Sequence, residues 1–422
     1  MFCRWNFPIN ERITTLIVRA KAILVFTLLI MQLLALLLAS SVSMMASAVI
    51  SPALPRIAEA FADSDPHGIK TRLLLTAPSL VTIFAAPLAG FFADRWKRTP
   101  ILIMGLLLFA LFGSAGLWVS DLDHLYYSRL LLGVAVGMLI STSSSLMGDY
   151  YTGTERNKAM GFQGMSNALG GVVLMGAGGA LGGISWRGPF GIYLLGIIFA
   201  VFAFLWLPEP VKQGSTSADD INDSKHPQKT RWTKIILVYV SGLIAISCFF
   251  LIPVNAAFVL KARFGMSGVT VGLVMATSTL STAVLAMQYA KVRKALGEYG
   301  TFVLTFVGIG LAMWILSWAN SLPIFLLGML VNGVGLGCMF PHASASVLAA
   351  CTPQMRGRAM GLLSSFFYLG QFLSPVFTAW VEKGAGSIDS VFKMAAIVAA
   401  VMATLYMLAS LRATGTSAAE RA

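Results

Sequence analysis

Arg156-Asn157-Lys158-Ala159-Met160-Gly161 returns two hundred residues later as Arg356-Gly357-Arg358-Ala359-Met360-Gly361. The same register lays Gly133 and Gly137 on Gly333 and Gly337, and Gly170 on Gly370. One coincidence of this kind is cheap; several in one register mark the two halves of the chain as copies of one unit. Between the copies, residues 209–232 are polar and contain Gly214-Ser215-Thr216-Ser217, Asp219-Asp220 and His226-Pro227. Such a segment cannot bury a core and reads as a linker. It separates an N-terminal unit, 1–208, from a C-terminal unit, 233–422.

The repeated unit is built for lipid. Of 422 residues 57% are hydrophobic and only 11% charged, and the mean hydropathy is +0.80. A soluble domain carries about 25% charged residues, so a water-facing surface cannot be covered here. A spanning helix needs about 20 mostly apolar residues. Runs of that kind lie near 22–50, 70–93, 100–119, 123–148, 158–183, 189–208, 233–260, 268–290, 301–319, 322–349, 359–381 and 387–411. Twelve spans, six per unit, put both termini on one side. The first run is too long for a signal-peptide core of about 7–15 residues. It reads as a retained helix behind a tail, 1–21.

Charge orients the helices. The tails and the loops after even-numbered helices hold 21 of the 30 Lys and Arg; the opposite loops hold eight, and Arg129 lies within a span. Basic loops stay inside, so both termini are expected in the cytoplasm of a bacterium, with the chain multi-pass in the inner membrane. The net charge of +13 is explained by these loops; no soluble module exists to present a basic face to nucleic acid. Cys3, Cys248, Cys338 and Cys351 match no zinc or CxxC spacing, and no metal is expected. Only His67, His124, His226 and His342 supply imidazole, far apart in sequence, so clustered catalytic chemistry and an enzyme are not expected.

The turn after the second span reads Gly90-Phe91-Phe92-Ala93-Asp94-Arg95-Trp96-Lys97-Arg98. It resembles the G-x-x-x-D-R-x-G-R/K-R signature of the major facilitator superfamily, with Gly90, Asp94 and Arg95 in place, Lys97 and Arg98 supplying the basic pair one position early, and Trp96 alone where x-Gly would stand. A small residue at Gly90 allows close helix approach, and Asp94 can accept from a helix N-terminus or an arginine and latch one state. The second half has only Lys291-Val292-Arg293-Lys294, without the acid. Helix 4 carries Arg129-Leu130-Leu131-Leu132-Gly133-Val134-Ala135-Val136-Gly137, similar to the family's R-x-x-x-G-x-x-x-G. Helix 5 holds Gly178, Gly182 and Gly183 at the places of G-P-x-x-G-G, with Gly179 where the proline would be; these glycines, with Gly133 and Gly137, read as a packing surface. Leu54-Pro55-Arg56-Ile57 and Leu207-Pro208-Glu209 extend the likeness to the drug- and metabolite-exporter branch.

The resemblance implies an all-α membrane protein of twelve transmembrane helices in two pseudo-symmetric six-helix bundles, the major facilitator fold, and transport of a small solute by alternating access. No Walker-type loop appears, so an ion gradient, with no cofactor, is expected to drive it. A cation six residues into a span should face the protein interior or water; the alternative is snorkelling to the headgroups. The family implicates this arginine in coupling or substrate contact, so Arg129, Asp149 and His342 are the expected coupling or substrate groups. His342 either relays protons or is held as a structural histidine. The resemblance places helices 1, 4, 7 and 10 around the cavity, which makes Gln32, Ser43, Ser141, Ser145, Asn255 and Asn332 wall candidates, with Gln371 from helix 11. No acid lies mid-span, so a neutral or anionic compound (a drug, metabolite or siderophore-like solute) is expected, moved outward by a lipid-embedded monomer. Proton-coupled uptake, a facilitator, or a sensor on the same scaffold are the alternatives.

Overall fold

The structure, a computed structural model, describes residues 27, 30–42, 46–47, 49–151, 153–210, 230–352 and 355–419, without the side chains of 94, 153–154, 156–157, 168 and 412–419. Every regular element among the described residues is helical. The spans are α1 (Ile30–Val42), α2 (Ile69–Arg95), α3 (Arg98–Leu117), α4 (Leu122–Tyr150), α5 (Gly153–Ile184), α6 (Gly188–Trp206), α7 (Trp232–Phe264), α8 (Val269–Met287), α9 (Tyr289–Ser317), α10 (Leu322–Ala350), α11 (Arg356–Ala385) and α12 (Ile388–Ala419). Eleven are long and apolar enough to cross a membrane, and α1 is apolar but shorter within the described residues. The expected tail, 1–21, and most of the linker, 211–229, lie outside the described residues.

Local chemistry sets the ends and breaks. The Asp121 carboxylate accepts the His124 N–H at 3.0 Å and starts α4; that bond holds the carboxyl below its ordinary range. Left-handed glycines close α7 at Gly265 (φ 61) and α11 at Gly386 (φ 72), a conformation that costs other residues a Cβ clash. Gly297 (φ 68) interrupts α9, so the basic turn Lys291–Lys294, read as a loop, is a short helix before the break. The helix of α10 is interrupted at Cys338; Pro341, three residues on, cannot donate its i→i−4 bond.

The repeat is structural as well as textual. Helices begin at 69 and 269, at 122 and 322, and at 188 and 388. A Cβ added to Gly133 would strike the Pro78 carbonyl, and one added to Gly333 would meet the Ser278 carbonyl at 2.5 Å. Gly137 abuts Ala85 and Ala86; Gly337 abuts Leu285 and Ala286. The α2–α4 contact and the α8–α10 contact are thus one contact made twice, two hundred residues apart. In both, the missing side chain lets the backbones touch, and packing of this kind drives helix association in lipid.

Each half has its own apolar core: one runs from Ala35 to Leu207 and the other from Ile235 to Tyr406. Val254 of α7 packs into the first, and Met175 of α5 against the second. Loops after odd-numbered helices share one end of the molecule, and loops after even-numbered helices share the other. At the odd-loop end the bundles are in backbone contact. A Cβ on Gly272 (α8) would lie 2.5 Å from the Met175 carbonyl, and one on Gly179 (α5) would strike the Gly268 carbonyl. Toward the even-loop end the seam parts. Gly164 lies seven residues before Gly171 on the same α5 face, yet a Cβ there would meet nothing within 4 Å, and the same holds at Gly161, Gly357 and Gly361.

Candidate functional site

Between the bundles, the odd-loop end is closed by side chains as well as by backbone contact. At the odd-loop end Arg72 of α2 reaches Glu382 of α11 with both terminal nitrogens, at 2.5 and 3.1 Å. The guanidinium also lies over the Phe258 ring of α7, 5.1 Å from its centre. Lys261 at the end of α7 pairs with Glu59 of the short helix Leu54–Ala60, a second bond between bundles. Beneath them Ser51 donates to the Pro253 carbonyl at 2.5 Å. Near mid-depth Gln371 of α11 donates to Ser47 at 2.8 Å, and Ser365 donates to the Ile83 carbonyl at 3.4 Å. Past Ile83 toward the even-loop end, Phe84 and Leu88 of α2 are 66% and 58% exposed.

The signature turn sits at the even-loop end. Gly90 faces α4, where an added Cβ would come 2.9 Å from Ser141 Oγ. Arg95 and Lys97 are exposed, and Arg95 lies over the Phe91 ring. Arg98 pairs with Asp149 at 2.5 Å and donates to the Ser145 carbonyl at 3.4 Å. The Asp94 side chain, the expected latch acid, lies outside the described residues. Glu209 caps the start of α3, accepting the Arg98 and Thr99 N–H groups at 2.7 and 3.0 Å. Tyr150 donates to the Pro208 carbonyl. A carboxylate on the exposed N–H groups of a helix suits both its dipole and its unpaired donors.

Arg129 does not reach the headgroups. It is 0% exposed, donates to the Gly113 carbonyl at 2.6 Å, and lies between the Phe190 and Tyr193 rings at 4.8 and 4.9 Å. Two of its nitrogens, Nε and Nη1, have no hydrogen-bond partner. Two aromatic faces therefore carry much of the cation's stabilisation. His342, also 0% exposed, is bonded on both ring nitrogens, to the Glu298 carbonyl at 2.8 Å and Tyr289 Oη at 3.3 Å. Both ring nitrogens are thus engaged within the second bundle. Asp149 keeps 31% of its side chain exposed.

The other expected wall residues divide. Asn255 (α7) is fully buried and donates to Thr378 of α11 at 3.0 Å; Asn332 (α10) is fully buried and donates to Ser278 of α8 at 3.0 Å. Both lie in seams within their own bundle, because a buried amide in an apolar helix needs a partner on its neighbour. Gln371 is at the junction of the bundles. Gln32, Ser141 and Ser145 are half-buried, and Ser43 lies outside the described residues. Gly178 and Gly182 pack on Val49 and Ala53 after α1, while Gly183 approaches Gly268 across the seam. The charged residues at the odd-loop end were missed from sequence. Arg72 and Glu382 each lie near a span end and pass for loop charges, and nothing local relates positions so far apart. Among the described residues no cluster of His, Cys, Asp and Glu could hold a metal. Cys248, Cys338 and Cys351 are buried and free.

Comparison with known proteins places this geometry in a family. The Major Facilitator Superfamily model matches residues 36–261 and 237–422. The multidrug efflux protein YfmO of Bacillus subtilis is 27% identical over 344 residues, covering 79% of this chain and 82% of the relative. Among solved structures, the human organic anion transporter MFSD10 superposes with a TM-score of 0.65 at 20% identity, covering 89% of this chain and 99% of that one. A D-xylose-proton symporter superposes with a TM-score of 0.71 at 17% identity, covering 89% and 97%. The chain belongs to the major facilitator superfamily: it is a multi-pass membrane transporter of the drug- and metabolite-exporter-like kind, not an enzyme.

Proposed function

We propose that the chain is a secondary active exporter that carries a neutral or anionic small compound by alternating access, driven by a proton gradient, as a monomer in a bacterial inner membrane. The observation that carries this reading is the seam: two repeated bundles in backbone contact at the odd-loop end and parted at the even-loop end. The positive-inside bias puts the even-loop end and both termini in the cytoplasm, so this is the inward-open state. Efflux of drugs by a relative that matches most of the chain supports outward transport. Among the described residues every acid lies in a loop or near a span end except Glu298, which follows the Gly297 break in α9 and is paired with Lys234 at 2.8 Å. A desolvated organic cation would find no counter-charge at mid-depth, whereas an uncharged or anionic solute needs none there.

Of the three expected coupling groups, Arg129 and His342 are buried inside their bundles, and Asp149, exposed and held by Arg98, is the one that faces the even-loop end. Uptake coupled to protons is the second reading, since a proton symporter for a sugar shares the fold. Flux of a fluorescent organic anion in proteoliposomes, with and without an imposed pH gradient of either sign, tests the reading. Anion movement against the proton gradient supports export. Movement with the protons supports uptake, and better binding of matched organic cations refutes the assignment of cargo.

A further inference from the structure

We infer that Arg72 is an anion site on the exit path, and that Glu382 occupies it as a built-in stand-in for the carboxylate of the cargo. The inference rests on the anionic form of the reading above. Arg72 is 6% exposed, and its Nε–H has no hydrogen-bond partner. The two terminal nitrogens hold a carboxylate from the opposite bundle. The planar guanidinium covers Phe258, so the site offers a fork of donors beside an aromatic face. That pairing suits a flat or aromatic carboxylate.

The pair lines a vestibule of about 1130 Å³ at the odd-loop end, bounded by both bundles. The surrounding charges are committed elsewhere. Glu59 holds Lys261, and Arg263 of α7 holds Asp389 of α12. Asp65 accepts the Ile69 and Thr71 N–H groups and caps α2. His67 and the Arg263–Asp389 pair share the vestibule with Glu382. Glu382 is 24% exposed in its side chain and Arg72 is 8%, so the glutamate is the partner nearer water in the closed seam. A buried guanidinium left alone is costly. The pair therefore favours the shut seam, and a second carboxylate that replaces Glu382 on Arg72 offsets the cost of opening. By linkage, whatever anion opens the seam must also bind the opened state more tightly, by the same factor. Cargo thereby favours opening, and the empty path favours the sealed state.

The test places one cysteine at Ala257, a fully buried position in the closed seam, in a chain whose native cysteines are serine. Reaction with a membrane-impermeant maleimide from the odd-loop side is timed in proteoliposomes with benzoate, benzamide or benzylammonium. Benzoate should speed labelling about 5-fold or more, and the neutral and cationic analogues should not. Glu382→Gln should raise labelling without any anion and lower the half-saturating benzoate concentration, about 10-fold within the usual coupling range. Arg72→Gln should raise basal labelling and abolish the benzoate response; Arg72→Lys, should Arg72→Gln not fold, should weaken it. Binding of the three compounds to the same variants, followed by tryptophan fluorescence, separates the two claims. Benzoate binding that is unchanged in Arg72→Gln and Glu382→Gln overturns this site and leaves the anionic cargo standing. Benzylammonium binding in preference to benzoate overturns both.

Discussion

Replacing Gly272 by alanine should push the transporter out of the state described here. The added Cβ would lie 2.5 Å from the Met175 carbonyl oxygen, 3.0 Å from its carbon and 3.2 Å from Gly176 Cα. These are backbone atoms of a facing helix and cannot rotate away, so the bundles must separate at the odd-loop end or bear the overlap. Overpacking of this kind costs about 1–3 kcal/mol. The seam exists only while this end is closed, so nearly all of that cost falls on one of two states. A difference of about 1–3 kcal/mol changes a two-state ratio by about 5–150-fold. The assay is the labelling rate of Ala257→Cys from the odd-loop side, which should rise by a factor in that range. Gly333→Ala is the control. Its clash with the Ser278 carbonyl lies inside one bundle and burdens both states equally, so it should lower thermal stability without changing the labelling rate. A folded Gly272→Ala protein with unchanged labelling would refute the argument that backbone contact at this seam sets the state.

Arg129→Gln should lower the detergent melting temperature through loss of the Gly113 bond and both ring contacts, a cost of about 2–4 kcal/mol, and Arg129→Lys should recover only part of it because an ammonium is not planar. Glu209→Ala should cost about 0.5–2 kcal/mol and speed amide exchange at Arg98 and Thr99, the two N–H groups it caps; exchange confined to other segments would count against the cap. Asp94→Asn should favour the outward-open state and slow turnover while leaving the fold intact, seen as faster labelling of Ala257→Cys from the odd-loop side.

The repeat and its consequences could be read from sequence because they are periodic. Glycines two hundred residues apart imply two equal helix contacts, and the Pro78 and Ser278 carbonyls against Gly133 and Gly333 are those contacts. Hydropathy delivered the spans for the same reason: lipid demands about 20 apolar residues at each crossing. The bonds that join the bundles could not be read that way. Arg72–Glu382 and Glu59–Lys261 relate residues 310 and 202 positions apart, and their pairing depends on how two rigid bodies meet. Direction within a helix was also hidden. Asn255 and Asn332 sit on spans expected to line the path, yet the face each presents is set by Thr378 and Ser278 on neighbouring helices. The helical turn before Gly297 was lost because a run of lysine and arginine after a span looks like an ordinary basic loop.

In alternating access the two ends open in turn. Spin labels at Ala62 and Ser387, which line the odd-loop vestibule from the two bundles, report one end. Labels at Met160 and Val284, exposed residues near the even-loop ends of α5 and α8, report the other. Pulsed electron–electron resonance across a range of pH, with and without organic anion, should show one distance lengthening as the other shortens. Two distances that stay fixed under all conditions, or that grow together, would contradict the account.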